Sequence, residues 1–325
     1  MSALPSWTDS LRCNLSRMAE GLTSALHGWR DAGFTVTPEQ CGYEGGLATT
    51  FIQKAIDTAA SRGGGTVLLS HGDYVTGTLV LRSGVRLEVA AAARLLGSSR
   101  LEDYPEHIAA RRTVQDTNMG MNQSLLFAEG CENISICGQG QIDGRGDHFP
   151  GEETAHGTPG RPFLIRFLDC RDVHIKDITL KDAACWMQNY LHCENLLIED
   201  IRVENQANYN NDGIDIDGCR NVIVRRCLVS SGDDALCFKG ASQMPGENIL
   251  VEDCELLSSC NAVKFGTDSQ GDFRNVLVRN CTVGGVSKRC GALNTRIPIP
   301  LSLGKLWTAA RWRTFGYTTS VSFGP

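Results

Sequence analysis

The sequence contains little proline, no long apolar segment and no concentrated run of basic residues. Only 10 of the 325 residues are proline whereas 35 are glycine, a balance that is typical of a chain with many tight turns. No apolar run reaches the roughly 18 residues of a membrane-spanning helix, so we expect no membrane partner. The net charge of −6, without a basic cluster, argues against a nucleic-acid partner.

The amino terminus also lacks a recognisable targeting signal. The first seven residues, Met1-Ser2-Ala3-Leu4-Pro5-Ser6-Trp7, have neither the charged start nor the apolar stretch of a secretory leader. As the sequence stands, we therefore expect a cytoplasmic protein.

One phrase, an asparagine or aspartate followed by alternating apolar residues, recurs along the chain. The recurring residues are Asn133, Asp172, Asn195, Asn221, Asn248 and Asn275. From Asp172 onward the steps are 23, 26, 27 and 27 residues, and the longer first step contains a polar, glycine-rich stretch at 145–161 that we interpret as an inserted loop. Such a period with β-branched alternation indicates short strands stacked as coils of a solenoid. Because the signature of leucine-rich repeats is absent, we predict an all-β, right-handed parallel β-helix.

The cysteines follow the same period, which argues for a packing role. One column lies two residues before the recurring Asn or Asp: Cys131, Cys170, Cys193 and Cys219. A second lies six residues after it: Cys227, Cys254 and Cys281. In the second column earlier coils carry Ile178 and Ile201, so cysteine acts there as a small buried hydrophobe. We expect the 14 cysteines to be reduced and mainly buried.

The two ends of the chain differ from the coils. Residues 1–40 form a lead-in, irregular or helical, and the helical spacing within 49–61 predicts a short helix that caps the first coil of a β-helix spanning 41–290. The phrase stops at about Arg289. Residues 291–325 form an atypical tail without a second cap, as expected of a chain that is truncated or read out of frame, and we expect it to pack poorly.

Polar residues coincide when the second strands of three neighbouring coils are aligned. Asp212, Asp234 and Asn261 form one column with Asp233 beside it, and the adjacent Gly213 indicates a bend that turns these side chains outward. Carboxylates this close cannot all ionise at ordinary pKa values, so one is expected to keep a proton as a general acid while others activate water. The alternative is that these aspartates cap turns or bind a structural cation.

Four motifs in this order give the chain a family resemblance. They are Asn210-Asn211-Asp212-Gly213, Gly232-Asp233-Asp234, the opening Ile52-Gln53-Lys54-Ala55-Ile56-Asp57 with Gly63-Gly64-Gly65-Thr66-Val67, and Gly138-Gln139-Gly140-Gln141-Ile142-Asp143-Gly144. Together they resemble the polygalacturonase-type glycoside hydrolases of glycoside hydrolase family 28, over about residues 53–288.

The resemblance implies inverting hydrolysis of galacturonate-containing pectin without a cofactor or metal. Asp233 would protonate the leaving oxygen, and Asp212 and Asp234 would activate the attacking water. The expected substrate contacts are Asn210, Asn261, Lys264 and His192. Trp186 is either a platform for a sugar ring or a core aromatic.

The sequence also departs from the family pattern. The Gly-His-Gly motif is replaced by Cys260-Asn261-Ala262, as in a bacterial-like branch, and the Arg-Ile-Lys clamp has only a poor echo at Arg296-Ile297-Pro298. Lys264 either supplies the missing cation or is a solvated surface residue. Two rival functions therefore stay open, a polysaccharide lyase on the same fold and a catalytically impaired glycan-binding β-helix.

Overall fold

The structure is a computed structural model that describes residues 7–28, 33–107, 122–151, 160–266, 269–285 and 296–298. Its helices are α1 (Trp7–His27) and α2 (Thr49–Ser61), and three short 3₁₀ turns span Glu39–Cys41, Leu101–Asp103 and Gly146–His148. The first twelve strands are β1 (Thr35–Val36), β2 (Gly65–Leu69), β3 (Gly72–Thr76), β4 (Leu79–Val80), β5 (Val85–Val89), β6 (Ala93–Gly97), β7 (Ser124–Glu129), β8 (Glu132–Cys137), β9 (Gln141–Asp143), β10 (Phe163–Leu168), β11 (Arg171–Lys176) and β12 (Thr179–Lys181). The others are β13 (Gln188–Leu191), β14 (Glu194–Glu199), β15 (Arg202–Asn205), β16 (Ile214–Asp217), β17 (Arg220–Arg225), β18 (Leu228–Ser231), β19 (Leu236–Lys239), β20 (Gly246–Glu252), β21 (Glu255–Ser258), β22 (Val263–Phe265), β23 (Phe273–Arg279), β24 (Thr282–Gly285) and β25 (Arg296–Pro298).

The strands stack into three sheets that run along the molecule. Sheet A has the order β1-β2-β5-β8-β11-β14-β17-β20-β23, sheet B the order β3-β6-β9-β12-β15-β18-β21-β24-β25, and sheet C the order β4-β7-β10-β13-β16-β19-β22. Each full coil contributes one strand to each sheet, and all pairings are parallel except that of β24 with β25. The predicted right-handed parallel β-helix is confirmed.

The core fills the tube between the sheets. Inward-facing positions of successive sheet A strands carry Val173, Leu196, Val222 and Ile249, all fully buried. Pairing in register places each of them on its counterpart in the next coil. Since burying one aliphatic side chain contributes about 1.5–3 kcal/mol, these rows stabilise every coil through its neighbours.

The recurring asparagines form the expected ladder, and the structure shows why that residue type is used. Each Nδ2 donates to the side-chain oxygen one coil earlier, over 2.8 Å from Asn195 to Asp172, 3.0 Å from Asn221, 3.1 Å from Asn248 and 2.9 Å from Asn275. Every residue of the ladder has a φ between 53° and 58°. Asn and Asp tolerate this left-handed conformation better than other residues with a Cβ.

A second column of left-handed residues was not anticipated from the sequence. Asp177, Asp200, Arg226, Asp253 and Asn280 have φ values from 51° to 55° and lie five positions after the ladder residues. They form the turn between sheets A and B. Four of these five side chains are Asp or Asn, the types that best tolerate a left-handed backbone, and Arg226 is the exception.

Helix α2 covers the first coil of the β-helix, and helix α1 covers the outer face of sheet A. Helix α2 has the predicted bounds and buries Ile52, Ala55 and Ile56 in the main core. The lead-in, which was expected to be irregular or helical, contains helix α1. Its buried residues Leu15, Ala19, Leu22 and Leu26 cover a row of outward-facing apolar residues on sheet A, namely Leu197, Ile223, Leu250 and Leu277.

Neither helix is a membrane span. Within the described residues, no helix has both the length and the apolar character that crossing a bilayer would require.

The described cysteines are free thiols, and the seven of the two columns stack where the period placed them. Cys170, Cys193, Cys219, Cys227, Cys254 and Cys281 are buried, Cys131 is half-buried, and Cys13 and Cys260 are exposed. Cysteine thus serves mainly as a small interior residue.

Only fragments of the two irregular segments can be compared with the predictions. In the inserted loop, residues 152–159 lie outside the described residues. In the tail, Arg296–Pro298 forms β25, antiparallel to β24. Residues 286–295 and 299–325, on which most of the tail prediction rests, are also outside the described residues.

The ladder yields a stability prediction at Asn221, which bonds to the coils on both sides. Asn221→Gly removes both side-chain bonds but keeps the left-handed backbone accessible, and we expect a loss of about 1–2 kcal/mol in the free energy of unfolding. Asn221→Ala should lose about 1–2 kcal/mol more, because a Cβ disfavours this conformation. Urea titrations of the three proteins measure both steps, and equal stability of the two variants would contradict the backbone part.

Candidate active site

The three predicted column residues do stack on neighbouring coils. Asp212, Asp234 and Asn261 each precede a sheet C strand, respectively β16, β19 and β22. The backbone nitrogen of Gly213 donates to the Asp234 carbonyl over 2.8 Å, and that of Ala235 donates to the Asn261 carbonyl over 2.9 Å. Three polar side chains therefore lie in one column at the start of the sheet C strands.

A network of buried amides shapes the bend before Asp212. Asn211 is fully buried and donates to the Ala183 carbonyl over 3.2 Å, and Asn205 Nδ2 donates to the Asp212 carbonyl over 2.8 Å. Gly213 has no space for a side chain, because a Cβ would lie 2.5 Å from the Ala235 carbonyl oxygen. The Asn-Asn-Asp-Gly motif thus fixes the backbone that aims Asp212.

The bend places Asp212 on the outer side of sheet C, but not in open solvent. Ile214 and Ile216 point into the core, so the alternating Asp215 and Asp217 point outward. Asp212 contacts Lys239, whose register partner is Asp217. The outward turn was expected, yet Asp212 and Asp234 are only 3% and 2% exposed.

Lysines from the following coils compensate this burial. Lys239 Nζ lies 3.2 Å from Asp212 Oδ2 and 3.1 Å from Asp215 Oδ1. One coil further, Lys264 Nζ lies 2.8 Å from Asp234 Oδ2, and Asn261 Nδ2 donates to Asp234 Oδ1 over 2.7 Å. Lys264 is thus ion-paired beside the acids and is not a fully solvated surface residue.

Asp233 is the more accessible of the two consecutive acids. Its side chain is half-buried, and its carbonyl oxygen accepts bonds from the hydroxyls of Ser231 and Ser258 over 2.7 and 2.5 Å. Asp233 Oδ1 accepts the backbone N–H of Asp234 over 3.0 Å. The turn is therefore rigid while the Asp233 carboxyl stays available to a ligand.

Burial and crowding displace two carboxyl pKa values. Burial raises the pKa of Asp212 to about 6, Lys239 opposes that rise, and Asp233 and Asp234 add to it. Burial likewise holds the pKa of Asp215 well above its ordinary value, against the effect of Lys239. A raised carboxyl pKa in this cluster was predicted, and it falls on Asp212, which the family resemblance assigns to water activation.

Two groups of side chains among the described residues could approach a metal ion. Ligand atoms of Asp233, Asp234 and Cys260 lie within 4.8 Å of one another, but Lys264 already neutralises Asp234. The other group is His27, His174 and Glu199, where Arg225 and Arg226 both pair with Glu199. Neighbouring cations disfavour a metal ion at both places.

The structure does not bring His192 to the acids. Leu191 pairs with Asp217 at the far end of the sheet C strands, so His192 follows that end, where its Nδ1 lies 3.4 Å from Asp169. Asn210 lies just before Asp212, and its side-chain oxygen accepts a bond from Arg161 over 2.7 Å. Asn210 therefore anchors the motif loop, and His192 lies apart from it.

Three residues of the site were missed from the sequence. Neither Asp215 nor Lys239 was singled out from the sequence, although charged residues at outward positions directly after the two acidic motifs were a usable signal. Arg161, 3% exposed, lies at the end of the inserted loop and bonds to the segment before Asp212. Trp186 joins the site as well, because Lys239 Nζ lies 3.8 Å from the centre of its ring.

Comparison with known proteins gives a family match. Residues 83–289, more than half of the chain, match the family described as Glycosyl hydrolases family 28. A probable polygalacturonase of Vitis vinifera is 28% identical over 204 residues, 59% of this chain and 41% of that protein. An exo-poly-alpha-D-galacturonosidase of Dickeya chrysanthemi is 25% identical over 240 residues, 59% of this chain and 39% of that protein. The chain thus spans about two fifths of the length of these relatives.

Solved structures agree on the fold. An exopolygalacturonase from Thermotoga maritima matches with a TM-score of 0.67 at 22% identity, covering 81% of this chain and 70% of that one. A polygalacturonase from Erwinia carotovora matches with a TM-score of 0.58 at 18% identity, covering 77% and 71%. At these identities the likeness establishes the β-helix architecture.

The raised pKa of Asp212 predicts a stability effect that does not depend on activity. A carboxyl whose folded-state pKa exceeds its unfolded value destabilises the fold when ionised, above the folded pKa of about 6. Asp212→Asn should therefore raise the free energy of unfolding at pH 7 by about 1–3 kcal/mol, and the gain should fade as the pH drops through 6 towards 4.

Chemical denaturation at several pH values measures this gain, and Asp103→Asn provides the opposite control. Hydrogen bonding to Arg100 lowers the pKa of Asp103, so its replacement should destabilise the protein at pH 7. An Asp212→Asn variant that is less stable than wild type at pH 7 would contradict the prediction.

Proposed function

The chain belongs to glycosyl hydrolases family 28, and from that premise we propose that it hydrolyses a galacturonate-containing, pectin-type polysaccharide or oligosaccharide with inversion. In this proposal the β-helix of residues 41–290 is the catalytic unit. The observation that carries it is the stacking of Asp212 and Asp234, each paired with a lysine, beside the more accessible Asp233.

The three acids divide the chemistry according to their surroundings. Asp233 protonates the oxygen of the departing sugar, because it is the acid with access to a bound chain. Asp212 and Asp234 lie beside Lys239 and Lys264 and together orient and deprotonate the attacking water. An inverting enzyme needs an acid and a base on opposite sides of the scissile bond with room for that water.

Cationic side chains suit an acidic sugar. Lys264 keeps 23% of its side chain exposed while it pairs with Asp234, so it can also contact a sugar carboxylate. Asn261 stands in the column where the family motif has histidine, and it donates to Asp234. Both residues are assigned to substrate binding at this position, together with Asn210 on the loop before Asp212.

The ion pairs disfavour the rival lyase. A lyase needs a neutral basic group to abstract a proton from the sugar. Burial alone would lower the pKa of Lys239, but Asp215 and Asp212 raise it well above its ordinary value. The Asp234 hydrogen bond and charge likewise outweigh burial and raise the pKa of Lys264. Both lysines therefore stay protonated and serve as counter-ions.

Asp233→Asn tests the assignment of the acid. We expect turnover of polygalacturonate to fall by about 10²–10⁴-fold, since general acid catalysis contributes that much, while thermal stability and binding of oligogalacturonate are retained. Asp253→Asn is the matched control, because Asp253 lies on a left-handed turn that Asn also tolerates and belongs to the turn column away from sheet C.

Release of reducing ends measures hydrolysis, and ultraviolet absorbance of the same reactions detects an unsaturated lyase product. Near wild-type turnover by Asp233→Asn would exclude Asp233 as the acid. An absorbing product, or no product from the wild type on any pectic substrate, would contradict the proposed function itself.

A further inference from the structure

Lys239 contacts three side chains of the candidate active site. Its ammonium group contacts Asp212 Oδ2 at 3.2 Å and Asp215 Oδ1 at 3.1 Å, and it lies 3.8 Å from the centre of the Trp186 ring. The lysine comes from strand β19, and both acids belong to the coil before it. We refer to Asp212, Asp215 and Lys239 as the buried triad.

The charges of the triad do not balance if both acids are ionised. The side chains of Lys239, Asp212 and Asp215 are 11%, 5% and 0% exposed. One ammonium and two carboxylates would leave a net negative charge out of contact with water, which is costly. One bound proton makes the triad neutral.

The surroundings place that proton on Asp215. Lys239 donates a hydrogen bond to Asp212 Oδ2, whereas its contact with Asp215 Oδ1, at 3.1 Å, lacks hydrogen-bond geometry. Asp215 is also the more deeply buried of the two acids. Burial, followed by the nearby Asp212, accordingly raises the pKa of Asp215.

Other titratable groups face the triad from neighbouring elements. Asp233 and Asp234 act on Asp212 from the turn above, and Cys237 lies beside Lys239 on the same strand. Burial keeps Cys237 a neutral thiol by raising its pKa, and Cys185 on the preceding coil is likewise a buried thiol whose pKa burial raises to about 12. Lys264 pairs with Asp234. Lys239 is therefore the cation in direct contact with Asp212 among the described residues.

We propose that Lys239 and a protonated Asp215 are positioning residues that hold Asp212 as the single ionised carboxylate of a charge-neutral triad. This inference rests on the proposed function, in which Asp212 activates the attacking water. Lys239 fixes one oxygen of Asp212 and leaves the other for the water, while Asp215 and the Trp186 face hold the ammonium in place. The strand position of Asp215 thus becomes part of the catalytic support.

The test compares Lys239→Met with Asp215→Asn, and uses Lys181→Met as a control. Methionine keeps the length of the lysine chain without its charge, and asparagine imitates a protonated aspartate. Lys181 also contacts two acids, Asp143 and Asp182, but on sheet B. The measured quantity is the acidic limb of kcat/KM against pH on polygalacturonate, where wild type should lose activity as Asp212 is protonated near pH 6.

Lys239→Met should move this limb upward by about one to three pH units, because an opposite charge at contact distance lowers an aspartate pKa by that amount. Asp215→Asn should leave the limb within about half a unit, since it replaces one neutral group with another. The Lys181→Met profile should match wild type. A merely structural role for Lys239 would lower activity equally at all pH values.

Two outcomes would overturn the proposal. If the acidic limb of kcat/KM does not move in Lys239→Met, Lys239 does not hold Asp212 ionised. If the limb moves downward by a unit or more in Asp215→Asn, Asp215 was ionised in the wild type.

Carboxyl carbon NMR of aspartate-labelled protein, with Asp212 assigned through Asp212→Asn, follows the same titration without substrate. If the wild type cleaves no pectic substrate, the proposed function fails on activity alone. The triad is then tested by the Asp212 signal alone. Its titration midpoint should move upward by about one to three pH units in Lys239→Met, and an unmoved midpoint would contradict the triad.

Discussion

Stacking of successive coils in register, about 4.8 Å apart, is the constraint on which the rest of this molecule depends. It places identical positions of neighbouring coils in contact, whatever their chemistry. Where the position is apolar, as in the row that includes Val222, stacking builds the core. Where it is Asn221, stacking builds a ladder of amide bonds. At the start of the sheet C strands it brings Asp212 onto Asp234 and so assembles the site.

Because buried carboxylates repel one another, they need cations beside them. Here the cations are lysines on the following strands of the same sheet. Lys239 on β19 reaches back to the acids of the preceding coil, and Lys264 on β22 repeats this arrangement for Asp234. The repulsion among the acids is then only partly neutralised. Burial, with the charges of Asp233 and Asp234 adding to it, raises the pKa of Asp212 against the effect of Lys239, so the ionised carboxyl lowers fold stability above that pKa.

The sequence predicted the fold because its period is visible in single residues. Asn195, Asn221 and Asn248 mark equal points on successive coils, and the helical spacing within 49–61 marked the cap. The second turn column was a missed signal, since Asp200 and Asp253 have a side-chain type that tolerates a left-handed backbone and only Arg226 interrupts the series. Packing of α1 on sheet A depends on distant residues, such as Leu22 and Ile223, that meet only after the coils have formed.

The site residues that belong to short sequence motifs were predicted, whereas those that join the site only through tertiary contacts were missed. Asp212 and Asp234 lie on short motifs whose glycines shape the bend, whereas Lys239 gains its place only because β19 lies beside β16. The error for His192 has the same origin, since a neighbouring coil does not imply the same end of the strand. Asp215 was visible as an outward position, but its deep burial could not be read from alternation alone.

In the proposed mechanism, water attacks from the side of Asp212 and Asp234 while Asp233 protonates the opposite side of the bond. The most direct measurement is proton NMR of the anomeric signals during the first minutes of hydrolysis of an α-linked oligogalacturonate. We expect the new reducing ends to form as the β anomer and then equilibrate, as inversion requires. Initial formation of the α anomer would show retention and contradict the assignment of the three aspartates.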